Sequence, residues 1–171
     1  RQTDTHGNVS DSSAALQVVV DTTAPVINTL VVSSDDIVSS SDTLTAVAFS
    51  GTTTAVEDGQ SITVVIGGQT VSVEVQSNAF ESTVDLSEVE DSDALAVSAT
   101  VSDLAGNAAT PYSANIVLNT SAPTPTIALA TDTGSDATDG VTNDATVTVS
   151  GLEEGATWEY STDDGETWVE G

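Results

Sequence analysis

The chain writes DTTAPVI at residues 21–27 and NTSAPTPTI at 119–127, and each copy directly follows an apolar run. An Asp-x-x-Gly-Asn turn stands upstream of both, at Asp4–Asn8 and Asp103–Asn107. A third echo pairs VEDG at 56–59 with LEEG at 152–155. A spacing of roughly a hundred residues, kept at three places, predicts an array of repeated modules and not one enzyme body. The chain reads as a window on a longer protein: residues 1–24 as the end of one module with its linker, 25–122 as a complete module, and 123–171 as the beginning of the next.

Strand-like alternation fills the middle of this frame. VINTLVVSS (26–34), LTAVAFSG (44–51), SITVVIGG (61–68), TVSVEV (70–75), FESTVDL (80–86), LAVSATVS (95–102) and YSANIVLN (112–119) make seven strands between the two linkers. Gly67-Gly68 marks a two-residue hairpin turn, because glycine accepts the positive φ of the primed turns. LSEVEDSDA (86–94) is the one place for a short helical turn. Seven short strands at this spacing predict an all-β fold, with immunoglobulin-like Greek-key β-sandwich modules in tandem. The flanking pieces carry a last strand before Asp21 and, after Pro125, a first strand, TVTVSG (146–151) and the hairpin WEYSTDDGETW (158–168), with Asp164-Gly165 at its turn. Such half-modules expose strand edges, and end-to-end contacts between half-modules of different molecules are one way to cover them.

Composition narrows the partners. With 27 acidic side chains against one basic residue, Arg1, the formal charge is −26. That surface repels nucleic acid and anionic lipid, and no stretch is long and apolar enough for membrane insertion. The charge reads either as a solubilising surface or as a demand for cations. No cysteine is present, which leaves oxygen-ligated hard cations, Ca²⁺ foremost. In an immunoglobulin-type sandwich the B–C and F–G loops meet at the pole that receives the linker. There the sequence places Asp21, Glu57, Asp58, Asp103 and Asn107 as candidate ligands, with Gly59 and Gly106 allowing the tight bends and Pro25 stiffening the linker. The second junction offers Asn119, Glu153 and Glu154, a weaker set because an amide replaces the linker carboxylate. Asp4 and Asn8 are the matching turn of the module before. The competing reading of each acid is a solvated turn residue, and of Asp103 and Asn107 an Asx-type turn.

Other features carry less. Asp132-Thr133-Gly134-Ser135 matches the aspartic-protease triplet and its following serine, but that chemistry needs two such carboxylates and the chain has one motif. The same loop fails as an EF-hand, whose twelfth position here is Asn143 where glutamate is required. His6, the single histidine, lies in a turn without a nucleophile or metal pattern. Asn8-Val9-Ser10 and Asn119-Thr120-Ser121 fit the short glycosylation triplet. Trp158, Tyr160 and Trp168 alternate on a hairpin, as core or as a row that holds sugar rings.

DTTAP, DLAGNAA, VEDGQSITVVIGG and the run from Thr131 to Gly171 resemble the tandem bacterial immunoglobulin-like repeats of large RTX-type and biofilm-associated surface adhesins. The resemblance implies a secreted, extracellular, cell-surface fibre in which calcium at the junctions aligns neighbouring modules of the same chain and projects a distal binding domain for adhesion or biofilm formation. It implies an extender without enzyme activity. The alternative is a carbohydrate-binding β-sandwich module.

Overall fold

Alternation of apolar with small polar residues at 47–54 decides which face of that segment turns inward. In the computed structural model, which describes residues 1–171, Val47, Phe49, Gly51 and Thr53 are buried and their neighbours exposed. The chain forms two compact units, Arg1–Thr120 and Ser121–Gly171.

In the first unit the strands, in chain order, are β1 (Val26–Val32), β2 (Ile37–Ser39), β3 (Val47–Thr54), β4 (Ser61–Ile66), β5 (Gln69–Glu74), β6 (Ala79–Val84), β7 (Ser92–Thr100) and β8 (Tyr112–Asn119). They build a three-stranded sheet, β1-β3-β6, and a five-stranded sheet, β2-β8-β7-β4-β5. Five of the seven connections cross between the two sheets, and only β4–β5 and β7–β8 stay within one, the Greek-key wiring of an immunoglobulin-like sandwich. The inward residues form one cluster that includes Val32, Val38, Phe49, Ile62, Val64, Ile66, Leu86 and Leu118. Each such side chain stabilises the fold by about 1.5–3 kcal/mol through removal from water, so an aliphatic core with two phenylalanines suffices.

Three details depart from the sequence reading. There are eight strands because a short one follows the first, in residues not read as a strand: Ser33 and Asp36 adopt positive φ, Asp36 Oδ1 accepts from the Val32 N–H at 2.9 Å, and Ile37–Ser39 then crosses to pair in parallel with Val117–Asn119. A three-residue strand leaves no alternation to read. Leu44–Ala46 forms a 3-10 turn where the strand was expected to begin. No helix forms in 86–94, where a single turn closes from the Val89 N–H to the Leu86 carbonyl. The Gly67-Gly68 hairpin is present, with both glycines at positive φ and Ile66 opposite Gln69.

Gly51 makes room for the Phe80 ring, its neighbour on the adjacent strand β6 of the same sheet. A Cβ there would collide with the Phe80 ring and with the Thr29 carbonyl oxygen. Gly51→Ala is therefore expected to cost about 1–3 kcal/mol by overpacking, read as a lower urea midpoint at unchanged slope.

The flanks are thinner. Residues 10–24 contain no strand, and Leu16, Val18, Val19 and Val20 are 87%, 68%, 86% and 80% exposed. The strand expected before Asp21 is absent because a strand exists only as a paired element, and this chain supplies it no ladder. In the second unit β9 (Thr126–Leu129) pairs with β10 (Val147–Ser150), and β11 (Glu159–Tyr160) with β12 (Val169–Glu170). The last hairpin is thus shorter than expected and its loop longer, although Asp164 and Gly165 do take positive φ. No residue of this unit is buried, and two-stranded ribbons without a core are marginal alone.

Candidate functional site

The Asp-x-x-Gly-Asn turn shows why those residue types recur. The Asp103 carboxylate accepts the Asn107 main-chain N–H at 2.7 Å through Oδ1 and its Nδ2 at 2.9 Å through Oδ2. The Asp103 N–H donates to the Asn107 carbonyl and the Gly106 N–H to the Asp103 carbonyl, while Gly106 takes the positive φ that closes the loop. Asp4, Gly7 and Asn8 reproduce the same pattern: both Asn8 donors reach the Asp4 carboxylate, and the Asp4 and Gly7 N–H groups reach the Asn8 and Asp4 carbonyls. The repeat seen in the letters is therefore a repeat of hydrogen bonds. Asp103 is the buried acid of the chain, 4% exposed.

Around that turn the linker and the β3–β4 loop converge. Asn107 Nδ2 also donates to the Asp21 carbonyl at 3.2 Å, which ties the incoming chain to the β7–β8 loop. Glu57 Oε2 accepts from the Leu104 N–H at 2.9 Å, which ties the β3–β4 loop to the same turn. Pro25, where the linker enters β1, is fully buried. Gly59 and Gly106 both have the positive φ expected of them.

Of the five residues expected at this pole, the structure thus joins Glu57, Asp103, Asn107 and the main chain of Asp21. It turns the Asp21 carboxylate back on its own segment, where Oδ1 accepts from the Thr23 N–H. It sends Asp58 elsewhere, to the Ser77 N–H at 2.6 Å, bracing the turn between β5 and β6. Asn119 ends β8 opposite Ser39. Glu153 and Glu154 lie on an exposed loop of the second unit, closed by the Ala156 N–H on the Glu153 carbonyl.

Nowhere do three or more His, Cys, Asp or Glu side chains gather so as to hold a metal ion. The junction instead presents two carboxylates, one amide and one main-chain carbonyl from three segments. The Asn107 amide meets the Asp103 carboxylate and the Asp21 carbonyl through its nitrogen, so hydrogen bonds already knit these groups together.

The remaining acids have local employment. Asp85, Asp136 and Asp144 each accept both the N–H and the hydroxyl of the Ser or Thr two residues on, the Asx geometry that fixes a turn. Within the first unit Glu74, Glu81 and Asp93 are the only acids inside strands, so charge collects in the connections and the sheet faces carry Ser and Thr. Asp132 binds the Gly140 N–H through Oδ2, and Thr133 binds Asn143. The protease-like motif is part of a hydrogen-bonded loop, with Thr133, Gly134 and Ser135 exposed.

Hydrogen bonds move the titrations. The Asn107 side chain, then the main-chain N–H groups of the turn, hold the Asp103 carboxyl below its ordinary 3.8. Asn8 does the same for Asp4, and the Thr167 hydroxyl leads the groups that bring Asp163 down to about 2. A carboxyl lowered on folding favours the folded form above its ordinary range and loses that contribution as pH falls through the folded value. In a proton-detected acid titration Asp103 is therefore expected to change below pH 3.8 and Asp163 near pH 2, with the grip on Asp21 loosening as Asp103 protonates. An Asp103 midpoint at or above the ordinary 3.8 would contradict the geometry.

The aromatic hairpin stands at positions that are core in the first unit, while its own rings are not buried. Counting from the VEDG and LEEG echoes, Trp158 and Tyr160 fall at the positions of Ile62 and Val64, both fully buried. Their rings lie 6.1 Å apart, tilted at 42°, and Trp168 is 60% exposed.

No helix of the structure is long and apolar enough to cross a membrane. No family model matches the chain, and no curated protein matches it. Among solved structures it is similar to a Ca²⁺-stabilised adhesin that helps an Antarctic bacterium reach out and bind ice, with 30% identity over 74% of this chain and a TM-score of 0.43. The chain spans 32% of the length of that molecule. It is similar also to a tetra-tandem repeat in the extending region of a large adhesion protein, with 25% identity, 65% of this chain and 28% of that one covered, and a TM-score of 0.43. A bacterial immunoglobulin-like domain from the M. primoryensis ice-binding adhesin gives 26% identity over 57% of this chain and 95% of its own, at a TM-score of 0.39. The structural likenesses of the chain are thus to immunoglobulin-like domains and repeats of large bacterial adhesins.

Proposed function

We propose that the chain is a calcium-stabilised spacer from a large secreted bacterial surface adhesin. In this reading one complete module, residues 25–122, stands between the end of a preceding module and the start of a following one, and the array holds a distal binding domain away from the cell. The observation that carries the reading is the three-way junction at Asn107, where one turn grips the Asp21 carbonyl, is gripped by Glu57, and is built on the buried Asp103.

Each residue has a part in that work. Asp103 shapes the turn, Asn107 fixes the linker, Glu57 locks the neighbouring loop, and Pro25 limits the linker's rotation. A bound divalent cation supplies positive charge among carboxylates that otherwise repel one another. With one basic residue against 27 acids, the chain has almost no internal source of that charge. Extracellular calcium sites are typically tuned to Kd values on the order of 10⁻⁴ to 10⁻³ M, so the ion would bind outside a cell and not in a calcium-poor interior. The exposed apolar residues of the flanks, Leu16–Val20 and Ile127 among them, are covered in this reading by the rest of their own modules.

Small-angle scattering in EGTA and in millimolar calcium tests the proposal. A longer maximum dimension and narrower distribution with calcium, absent with magnesium at equal ionic strength, is the expected result. Identical curves in both would overturn the calcium-stiffened spacer.

A further inference from the structure

Asp91 lies in the connection between β6 and β7 and belongs to no repeated motif. Its Oδ1 accepts two hydrogen bonds from Thr120, one from the main-chain N–H at 3.0 Å and one from the side-chain hydroxyl at 2.8 Å. Thr120 is the first residue after β8, where the chain leaves the sandwich. The main-chain ladder between β7 and β8 ends at the pair Ser92 and Leu118, so this carboxylate adds a side-chain rung beyond the last main-chain one.

The entry to the module offers a parallel. There the Asn107 side chain holds the Asp21 carbonyl, and at the exit the Asp91 side chain holds the Thr120 N–H. Incoming and outgoing chain are each held by a side chain from a loop. Binding both the amide and the hydroxyl of one threonine restrains its backbone and its χ1 together.

We infer that Asp91 is a positioning residue that fixes the path of the outgoing linker, and that it does so without an ion. The inference takes its functional meaning from the spacer reading. Its geometry stands apart from calcium, so a linker that stays ordered in a chelator is its signature.

The test is amide hydrogen exchange and ¹⁵N relaxation in excess EGTA, on the native chain and on Asp91→Ala, Asp91→Asn and Thr120→Val. In Asp91→Ala the Thr120 amide is expected to exchange about three- to tenfold faster, the range of one lost hydrogen bond, and residues 120–122 to gain fast mobility. Amides inside β7 and β8 should keep their protection. Asp91→Asn retains an acceptor oxygen and should restore most of the effect, whereas Thr120→Val, which loses the hydroxyl bond alone, should lie between. Unchanged exchange at Thr120 in Asp91→Ala, or an increase spread evenly through β7 and β8, would overturn the inference. Because calcium is excluded throughout, failure here is distinguishable from failure of the calcium reading, which a separate calcium titration decides.

Discussion

Phe49→Ala is expected to lower the stability of the first unit by about 3–5 kcal/mol, the largest loss from any single substitution considered. Phe49 is 2% exposed on β3, with β1 on one side and β6 on the other, and only one other phenylalanine, Phe80, shares the core. The surrounding Val, Ile and Leu side chains are short and branched, so they cannot swing in to fill the space, and a residual cavity adds to the lost transfer energy. For a domain stable by roughly 5–15 kcal/mol this removes a large part of the total. Equilibrium urea unfolding reads it as a reduced midpoint. A loss below about 1 kcal/mol would mean that the two sheets do not pack as described.

Calcium is expected to give the second largest change, of opposite sign. A ligand that binds only the folded state stabilises it by RT ln(1 + [L]/Kd), about 2.7 kcal/mol at a hundredfold excess over Kd. Asp103→Ala should abolish that gain because three things fail together. The turn loses its carboxylate, Asn107 loses the partner that orients its amide, and the amide then releases the Asp21 carbonyl. Asp58→Ala should retain the calcium gain, since Asp58 is committed to the Ser77 N–H. General screening of a −26 chain would not distinguish these two variants, nor calcium from magnesium, whereas a built site distinguishes both.

How far the sequence foretold this depends on what kind of signal each feature leaves. Alternation in 44–51, 61–68 and 112–119 is a property of one strand facing one core; 112–119 formed with the bounds read, 61–68 became β4 and its hairpin glycines, and 44–51 formed three residues later, at 47–54. β2 left no signal because three residues show no period, and its parallel pairing with β8 is a tertiary event. The Asp-x-x-Gly-Asn turn was legible twice because its hydrogen bonds are local. Asp58 and Asp91 were not, since their partners, Ser77 and Thr120, are distant in sequence and spacing does not encode them. The Asp-x-Ser/Thr pattern at Asp85, Asp136 and Asp144 stands in plain letters and explains part of the acidic composition without any ion. The unpaired Leu16–Val20 segment marks the opposite limit: its strand character was readable, but a strand needs a ladder.

The most direct test of the central claim is thermal unfolding of the native chain and Asp103→Ala in excess EGTA, in millimolar calcium, and in magnesium at matched ionic strength. A calcium-selective rise in melting temperature in the native chain, lost in Asp103→Ala, is the predicted result. Equal melting temperatures in EGTA and calcium, or an equal rise with magnesium, would contradict it and leave the acids as turn-formers on a solubilising surface.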